Sequence, residues 1–541
     1  MAPFEDGVTA MTLPENRFDV TIICTTDDHQ AEFWMQKLKT ESSDPDSIFP
    51  LVVAVSEDWN GKGGAGNGLG TLYAWKKACA FAKNGDNVTG GPDLDALLRD
   101  GSISAALYHT AGKGTRMAPL PASENNNKPG VKLPFPKQIT VLEAVVRQTG
   151  IYASSRKGRL SVFWGDQVFL PPGKENFLYT PTHHVDIMCT LLGDTAPTAQ
   201  EWADQGLDKY GVIAVLKESG NGKVAEAAQV EKVSHETATK MLGELGTIAQ
   251  VGPSLGSFSV SAAILEGLCD EYSVELNQKE AKMDTDPHFW MPLTLPEDSY
   301  IQLMAQKNVE ASVSKEHYRR MKVFSERFQE SNANSTSKLG LFGAVDVGKD
   351  ACWWDYGLLK LYSKNSLLLL DNENPESKLL RKFLGITEGP QSGTFAPSDV
   401  MYQHSYAFDC NIANGSLKDS VLSHVTACEI NAEGAIIVNC VAPKITAGKG
   451  AIVYNIIGDK EIIAEAGQVM VAVSNEDGAA TEIRSRMDLD GGKVWKDVVE
   501  GNPCSFEEVR NNNMNANISK VDLKRRELYT ILTEKIFQTT K

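Results

Sequence analysis

The sequence predicts an α/β protein with a mainly parallel sheet, followed by a β-solenoid and a terminal helix. Three observations lead to this prediction. Short β-branched strand patterns alternate with helical patterns in the first half of the chain. A segment of about a dozen residues repeats after residue 400. Apolar residues with heptad-like spacing then predict a helix over Val521–Phe537.

The first half of the chain alternates predicted strands with helices and Gly-rich loops. Helical patterns cover Asp27–Leu38 and Thr71–Lys83, and Gly-rich loops cover Gly61–Gly70 and follow His109. Strands separated by helices favour a parallel sheet. The predicted strands are Phe18–Thr25, Pro50–Val55, Ser104–His109, Leu160–Trp164 and Ile187–Leu192.

The sequence changes in character after about residue 400. The segment INAEGAIIVNCV (Ile430–Val441) aligns with ITAGKGAIVYNII (Ile445–Ile457) with one insertion. Short apolar strands between tight Gly or Asn turns at a near-constant period are typical of a solenoid, and a small antiparallel sheet is the alternative. Polar sequence predicts a solvated helix and loop over Arg319–Lys338 and a loop over Arg510–Asn517.

The composition indicates a globular protein and disfavours strongly anionic partners. The 541 residues are 42% apolar and 23% charged, which is typical of a globular chain of several domains. The net charge of −17 disfavours nucleic acid and anionic membranes as partners. No stretch of about 18 apolar residues predicts a membrane span. The nine cysteines show no C-x-x-C pair, which indicates buried thiols in a reducing compartment, the cytoplasm.

The first Gly-rich loop carries a weak dinucleotide signal. Gly61, Gly63 and Gly66 have G-x-G-x-x-G spacing between a strand and a helix. No obvious ribose-binding acid follows the next strand, so a nicotinamide dehydrogenase is a disfavoured alternative. Neither Gly-rich loop completes a P-loop, because no Gly-Lys is followed by Ser or Thr.

The second Gly-rich loop is a more specific phosphate signal. It reads LYHTAGKGTRMAPLP over Leu107–Pro121. Its small residues let backbone N–H groups approach triphosphate oxygens. Arg116 can brace phosphates with its planar guanidinium, and Lys128 can neutralise charge as the bond breaks. The alternative is a surface turn with solvated basic residues.

Four further side chains have the chemistry of a phosphate and sugar site. Asp166 follows a predicted strand, so it is expected at the carboxyl edge of the sheet, where open α/β sheets bind ligands. Carboxylates together with phosphate oxygens are the usual Mg²⁺ environment, and Asp355 can supply a second ligand. Glu231 can accept hydrogen bonds from sugar hydroxyls, and Lys232 can pair with a phosphate. Each alone is an ordinary surface charge, but their order favours one site.

The chain resembles the sugar-1-phosphate nucleotidyltransferase superfamily over about residues 100–460. FDVTIICTTDDHQ (Phe18–Gln30) and GNGLGTL (Gly66–Leu72) are similar to the fucose-1-phosphate guanylyltransferase (GDP-L-fucose pyrophosphorylase) branch, although that branch usually has a Gly-Gly-x-Ser-x-Arg-type loop. Asp284–Leu295 is similar to the uridylyltransferases. The superfamily resemblance rests on four strings that occur in the family order: Ala111–Arg116, Gly165-Asp166, Val230–Lys232 and Trp354–Gly357.

The resemblance implies a Rossmann-like catalytic domain and a C-terminal left-handed β-helix. The expected boundaries are residues 1–100 for an N-terminal segment packed into the catalytic domain and 101–400 for that domain. The β-helix is expected over 401–480, and a loop and helix over 481–541. The β-helix is expected to pack on the catalytic domain or to build a homo-oligomer.

The resemblance also implies a reaction: an NTP and a sugar-1-phosphate give an NDP-sugar and pyrophosphate, with Mg²⁺. GTP with fucose-1-phosphate is the leading pair, and UTP with glucose-1-phosphate is the alternative.

A non-catalytic relative is disfavoured because both basic and both acidic catalytic groups are present. A solenoid acyltransferase is also disfavoured: such enzymes need a catalytic histidine in their coils, for which His424 is the single candidate in the repeat region. The implied site comprises Arg116 and Lys128 as catalytic residues, with Lys132 as a second choice; Ala111, Gly112, Gly114 and Thr115 for the nucleotide; Gly211, Glu231 and Lys232 for the sugar phosphate; and Asp166 and Asp355 for Mg²⁺.

Overall fold

Two nine-stranded sheets and one two-stranded sheet organise the described part of the chain. The computed structural model describes residues 2–13, 15–39, 49–60, 64–84, 91–193, 195–217, 224–332, 339–386 and 400–538. The strands are β1 (Val20–Thr25), β2 (Leu51–Ser56), β3 (Ala105–His109), β4 (Arg159–Trp164), β5 (Gln167–Leu170), β6 (His183–Cys189), β7 (Gly211–Leu216), β8 (Ala227–Glu231), β9 (Ile248–Ser261), β10 (Gly340–Asp346), β11 (Cys352–Asp355), β12 (Val400–Gln403), β13 (Tyr406–Phe408), β14 (Asn411–Lys418), β15 (Val421–Glu433), β16 (Ile436–Ala447), β17 (Ile452–Tyr454), β18 (Ile462–Ala464), β19 (Gln468–Ser474) and β20 (Ala480–Arg486).

Helices cover both faces of the first sheet and follow the second. Short 3₁₀ turns cover Thr115–Met117 and Lys128–Gly130, and a π-helical turn covers Thr285–Trp290. The α-helices are α1 (Ala2–Thr12), α2 (Asp28–Lys37), α3 (Gly66–Asn84), α4 (Leu94–Arg99), α5 (Leu120–Ser123), α6 (Val141–Thr149), α7 (Lys174–Phe177), α8 (Ala199–Asp204), α9 (His235–Gly243), α10 (Ala262–Glu271), α11 (Ser273–Gln278), α12 (Met291–Thr294), α13 (Glu297–Gln306), α14 (Ala311–Asn332), α15 (Leu359–Leu367), α16 (Pro375–Leu384), α17 (Phe506–Asn512) and α18 (Ile518–Gln538).

The first sheet is mainly parallel, as the sequence predicts. Its main path has the order β2-β1-β3-β4-β9-β6-β10, and β9 is the strand antiparallel to both its neighbours. The first four predicted strands are confirmed to within two residues. The fifth was predicted over Ile187–Leu192, whereas β6 covers His183–Cys189. Strands from the first hundred residues lie beside β3 in this same sheet, since β3 pairs with β1.

The topology places the loop after β3 and the loop after β4 side by side. β3 and β4 are adjacent parallel strands, and His109 pairs with Trp164 at their carboxyl ends. The amide of Gly165 donates to the carbonyl of His109 at 3.3 Å. The loops that follow these strands therefore leave the sheet at the same edge, which is where open α/β sheets bind ligands.

The second sheet has the parallel stacking of a solenoid. β14, β15 and β16 pair in parallel at steps of 15 residues, for example Ile412 with Ala427 and Ala427 with Ala442. Ile430 pairs with Ile445, so the predicted alignment is confirmed. The inserted residue lengthens the next step, and Ile436 pairs with Ile452. The antiparallel alternative is wrong for these strands; the left-handed sense stays a prediction.

One face of the solenoid packs on the first part of the chain. Phe135, from the segment between β3 and α6, shares one apolar core with Val421 and Ile436 of the solenoid. The Ser423 hydroxyl donates to the carbonyl of Phe135 at 2.7 Å. Burying apolar surface on both sides of this contact stabilises the attachment.

Three polar segments are more structured than the sequence predicts. β20 forms over Ala480–Arg486, antiparallel to β19, where a loop was predicted. α17 reaches Asn512 and so overlaps the predicted loop. The helix predicted within Arg319–Lys338 is part of α14, but it is not fully solvated. It buries Tyr318, Met321, Phe324 and Phe328, because apolar residues recur on one face at spacings of three and four. Residues 333–338 of that prediction lie outside the described residues. The predicted terminal helix is confirmed as α18.

All nine cysteines are free thiols, and five of them are buried. Among the described residues, no helix combines the length and apolar character that a membrane span needs.

Candidate functional site

The predicted nucleotide loop follows β3 and contains two glycines with positive φ. Gly112 has φ of +136° and Gly114 has φ of +62°, which L side chains rarely adopt. A Cβ added to Gly114 would lie 3.0 Å from Cγ of Pro121 and 3.3 Å from Cβ of Lys128. Thr115 and the exposed Arg116 then enter a 3₁₀ turn. Glycine is therefore needed both for the turn and for the close approach of Lys128.

Lys128 and Asp166 form an ion pair at this edge of the sheet. The Lys128 ammonium donates to Oδ2 of Asp166 at 2.5 Å. Both side chains are about one fifth exposed, at 20% and 21%. Since Asp166 follows β4 closely and Lys128 opens a 3₁₀ turn after the nucleotide loop, both groups are held by backbone structure. The pair is accessible to a ligand.

The second predicted metal ligand lies beside the first. β11 runs antiparallel to β5, which places Asp355 opposite Gln167. The amide of Tyr356 donates to the backbone carbonyl of Asp166 at 2.9 Å. A Cβ added to Gly357 would lie 2.9 Å from Oδ2 of Asp166 and 3.0 Å from Oδ1 of Asp355. The two carboxylates therefore flank one glycine that leaves space between them.

The charges of Asp166, Lys128 and Arg116 all act on the Asp355 carboxyl. Burial and the neighbouring Asp166 carboxylate raise the pKa of Asp355. The positive charges of Lys128 and Arg116 act on the same carboxyl in the opposite direction. Two carboxylates and two cations thus share one small region, and the predicted catalytic and metal residues come together.

The predicted sugar-phosphate residues form a second cluster. Gly211 faces Glu231 across the β7–β8 pair. Glu231 accepts from Lys307 at 2.7 Å and pairs with Lys232 at 3.0 Å. Although burial opposes the shift, these two lysines lower the pKa of Glu231. The cluster presents a carboxylate and two ammonium groups.

Two exposed aromatic rings connect the clusters. Trp353, two residues before Asp355, is 40% exposed and stacks on Phe169. Its ring centroid is 6.4 Å from that of Tyr210, which precedes Gly211 and is 42% exposed. Trp354 is buried in the core. The clusters are therefore neighbours, separated by an apolar surface suited to a sugar ring or a base.

Sequence reasoning missed an acidic residue beside the second cluster. Asp286 lies in the π-helical turn, and its Oδ2 is 3.7 Å from the position of a Cβ on Gly211. Burial and the charge of Glu231 raise the pKa of Asp286 to about 6. In the sequence, Asp286 belongs to Asp284–Leu295, the segment similar to the uridylyltransferases, but the string DTDPH around it carries no periodicity. π-helical turns are frequent at functional sites.

The first Gly-rich loop and Lys132 do not join this site in the predicted way. Gly61 and Gly63 lie outside the described residues. At the start of α3, the amide of Asn67 donates to Asp284 and that of Gly68 to the carbonyl of Met283. These amides are thus occupied by protein rather than open to a pyrophosphate. The Lys132 ammonium donates to the buried Glu124 at 2.6 Å.

The residues present are compatible with Mg²⁺. Within the described ranges, no group of three or more His, Cys, Asp or Glu side chains is placed to hold a metal. Mg²⁺ is commonly bound through one or two carboxylates together with substrate phosphates and water. Asp166 and Asp355 supply those two carboxylates, on either side of a glycine.

The chain has no match among protein families or curated proteins, and its likeness to a solved structure is weak. Neither any protein-family model nor any curated protein matches this chain. A Bacillus anthracis protein assigned as a glucose-1-phosphate thymidylyltransferase, solved in complex with sucrose, is a structural neighbour at 12% identity. The match covers 66% of this chain and 99% of that one, with a TM-score of 0.18. At that TM-score the likeness carries no argument about fold or activity.

Proposed function

We propose that this chain is a sugar-1-phosphate nucleotidyltransferase. The supporting observation is the convergence of Arg116, Lys128, Asp166 and Asp355 at the carboxyl edge of a mainly parallel sheet. Such a group can neutralise polyphosphate charge and hold Mg²⁺ at one point. A carboxylate, two lysines and exposed aromatic rings lie next to it, as recognition of a phosphorylated sugar requires.

The reaction needs alignment and charge neutralisation more than covalent chemistry. An oxygen of the sugar-1-phosphate attacks the α-phosphorus in line, the bond to the β-phosphate bridging oxygen breaks, and pyrophosphate leaves. Two polyanions must therefore be held together against their repulsion. Arg116 and Lys128 supply positive charge where negative charge develops. Lys128 must exchange Asp166 for a phosphate oxygen as the substrates bind.

The remaining residues position the substrates. Ala111, Gly112, Gly114 and Thr115 would offer backbone N–H groups to the nucleotide phosphates. Asp166 and Asp355 would hold Mg²⁺, which supplies Lewis-acid stabilisation of phosphate charge when bound. Gly211 would lie against the sugar phosphate, Glu231 would accept from the sugar hydroxyls, and Lys232 would pair with the phosphate.

The substrate pair is the finer part of the proposal. GTP with L-fucose-1-phosphate is the leading pair, because the similarity of Phe18–Gln30 and Gly66–Leu72 favours that branch. UTP with glucose-1-phosphate is the alternative, favoured by Asp284–Leu295. Asp286, in this latter segment, lies beside Gly211, so the segment reaches the proposed sugar site.

Pyrophosphate release tests the reaction and the substrates together. Purified full-length chain with Mg²⁺ is assayed with GTP, UTP, ATP, CTP and dTTP against fucose-, glucose-, mannose-, galactose- and N-acetylglucosamine-1-phosphate. We expect release that requires both partners and Mg²⁺. If no pair releases pyrophosphate although the protein still binds nucleotide, catalysis of this reaction would be contradicted. Absence of nucleotide binding would contradict the assignment of the Gly112–Arg116 loop.

A further inference from the structure

A cavity of about 400 Å³ lies between α2, the segment 124–140, the solenoid and α18. The segment 124–140 forms one wall, His424 and Asn439 of the solenoid form another, and α18 closes it. None of the residues proposed for catalysis or substrate binding lines it. Its volume is in the usual range for a small-molecule site.

The lining is basic, although the chain as a whole is strongly acidic. Five Lys or Arg side chains and two acidic side chains line the cavity, in a protein of net charge −17. Lys137 is exposed, and the Arg526 side chain is 74% exposed and pairs with Asp522 at 2.5 Å. The local excess of positive charge predicts an anionic ligand.

Part of this charge is buried, which excludes an ordinary solvated surface. Glu124, Lys132 and Arg525 are 6%, 8% and 4% exposed. The Glu124 carboxylate accepts from Lys132 at 2.6 Å and from Arg525 at 3.2 Å. One fully buried carboxylate lies between the two buried cations, and the next carboxylate, Asp522, is 18% exposed and 4.0 Å from Arg525. Burying an excess cation costs free energy unless a counter-charge reaches it.

One buried donor in this cluster is unused. Within the described residues, Nε of Arg525 is buried and has no hydrogen-bond partner. The other nitrogens of the same guanidinium donate to Glu124 and to the backbone carbonyl of Ser123. A buried donor without a partner is uncommon. Arg525 also lines the cavity, so an anionic group placed there lies beside its guanidinium.

We propose that this cavity is a binding site for a small phosphorylated anion, distinct from the nucleotide site. Lys132 and Arg525 would contact the phosphate from buried positions, and Lys137 and Arg526 from exposed ones. Phe33 and Tyr529 also line the cavity and would contact an organic portion. The site needs the segment 124–140, the solenoid and α18 together, with α2 completing the lining. This inference does not depend on the proposed function.

Calorimetry on the full-length chain tests the proposal. Inorganic phosphate and glycerol 2-phosphate are titrated separately at constant ionic strength. The Lys137→Gln/Arg526→Gln double variant should bind roughly tenfold or more weakly, since each change removes a charge-assisted hydrogen bond. Tighter binding of glycerol 2-phosphate would indicate a phosphomonoester ligand, and equal binding would indicate free phosphate; either supports the site.

Two controls locate the binding. The Lys520→Gln/Lys524→Gln double variant loses the same charge from α18 at positions that do not line the cavity, and its affinity should stay within about twofold. Arg116→Ala should also leave it unchanged, because it alters only the proposed nucleotide site. Equal affinity in both double variants, loss of binding in Arg116→Ala alone, or no binding of either probe would each overturn the proposal.

Discussion

Arg116 and Lys128 carry the positive charge on which the proposed reaction depends. Arg116→Ala or Lys128→Met should lower kcat/KM by about 10²–10³, as loss of one donor to developing charge typically does. Arg99→Ala is the matched control. Arg99 precedes β3, at the opposite edge of the sheet, and pairs with Glu266 at 3.0 Å on the surface. Steady-state pyrophosphate release measures the effect, and an Arg116→Ala rate close to that of Arg99→Ala would contradict the assignment.

Asp286 should make sugar-1-phosphate binding depend on pH. Burial and Glu231 raise its pKa to about 6, so the group is ionised above about pH 6 and neutral below. An ionised Asp286 accepts from sugar hydroxyls more strongly than a neutral one. Asp286→Asn resembles the neutral form, so its KM should be roughly tenfold above wild type at pH 7.5.

The two KM values should converge at pH 5, where both side chains are neutral. Comparing the two chains at each pH removes the titration of the substrate phosphate itself. A ratio of KM values that stays constant between pH 5 and 7.5 would show that Asp286 does not act through its charge.

The sequence predicts those site residues that follow strands directly. Asp166 follows β4 and the nucleotide loop follows β3, so topology alone brings them to one edge. Asp286 was not predictable in this way. It lies in an irregular turn and meets Gly211 only through packing of elements distant along the chain.

At the scale of elements, the segment between β20 and α17 supports the nucleotide loop. A Cβ added to Gly491 would overlap the carbonyl oxygen of Thr115 and lie 3.0 Å from Cβ of Ala118. Gly491→Ala should therefore displace the loop and raise the nucleotide KM by roughly tenfold or more. Gly458→Ala, at a solenoid position with no atom within 4 Å of the added Cβ, is the control. An unchanged KM in both variants would show that the loop does not rely on this contact.

The predictability of elements follows from repetition and periodicity. The step of 15 residues between β15 and β16 is visible in the sequence, because each coil repeats the pattern of the one before. β20 does not repeat the sequence pattern of another strand, so the sequence did not predict it. The apolar stripe of α14 is visible in principle, but the charged residues on its other face obscured it.

At the scale of the whole molecule, one ion cluster joins the segment 124–132 to α18. Although burial opposes the shift, Lys132 and Arg525 lower the pKa of Glu124 to about 2, from an ordinary value of 4.5. The ionised group therefore stabilises the fold above about pH 4.5, and this contribution is lost as pH falls toward 2. It amounts to about 3 kcal/mol at most.

Unfolding in denaturant at pH 6 and pH 3.5 measures this contribution. Glu124→Gln should lose stability at pH 6 and show a smaller pH dependence than wild type between the two values. Glu429→Gln changes a partly exposed carboxylate of the solenoid, which pairs with Lys444 at 3.3 Å, and should keep the wild-type dependence. Identical dependence in all three chains would show that Glu124 does not couple stability to pH.

The same cluster has a consequence for synthesis. The contact between Glu124 and Arg525 spans 401 residues, so a ribosome must translate most of the chain before the partners can meet. Until then, Glu124 and Lys132 lack the helix that buries them. Domains generally fold from the N-terminus during translation. The sheet can therefore assemble early, but the nascent chain cannot complete the junction with the solenoid until α18 has left the exit tunnel.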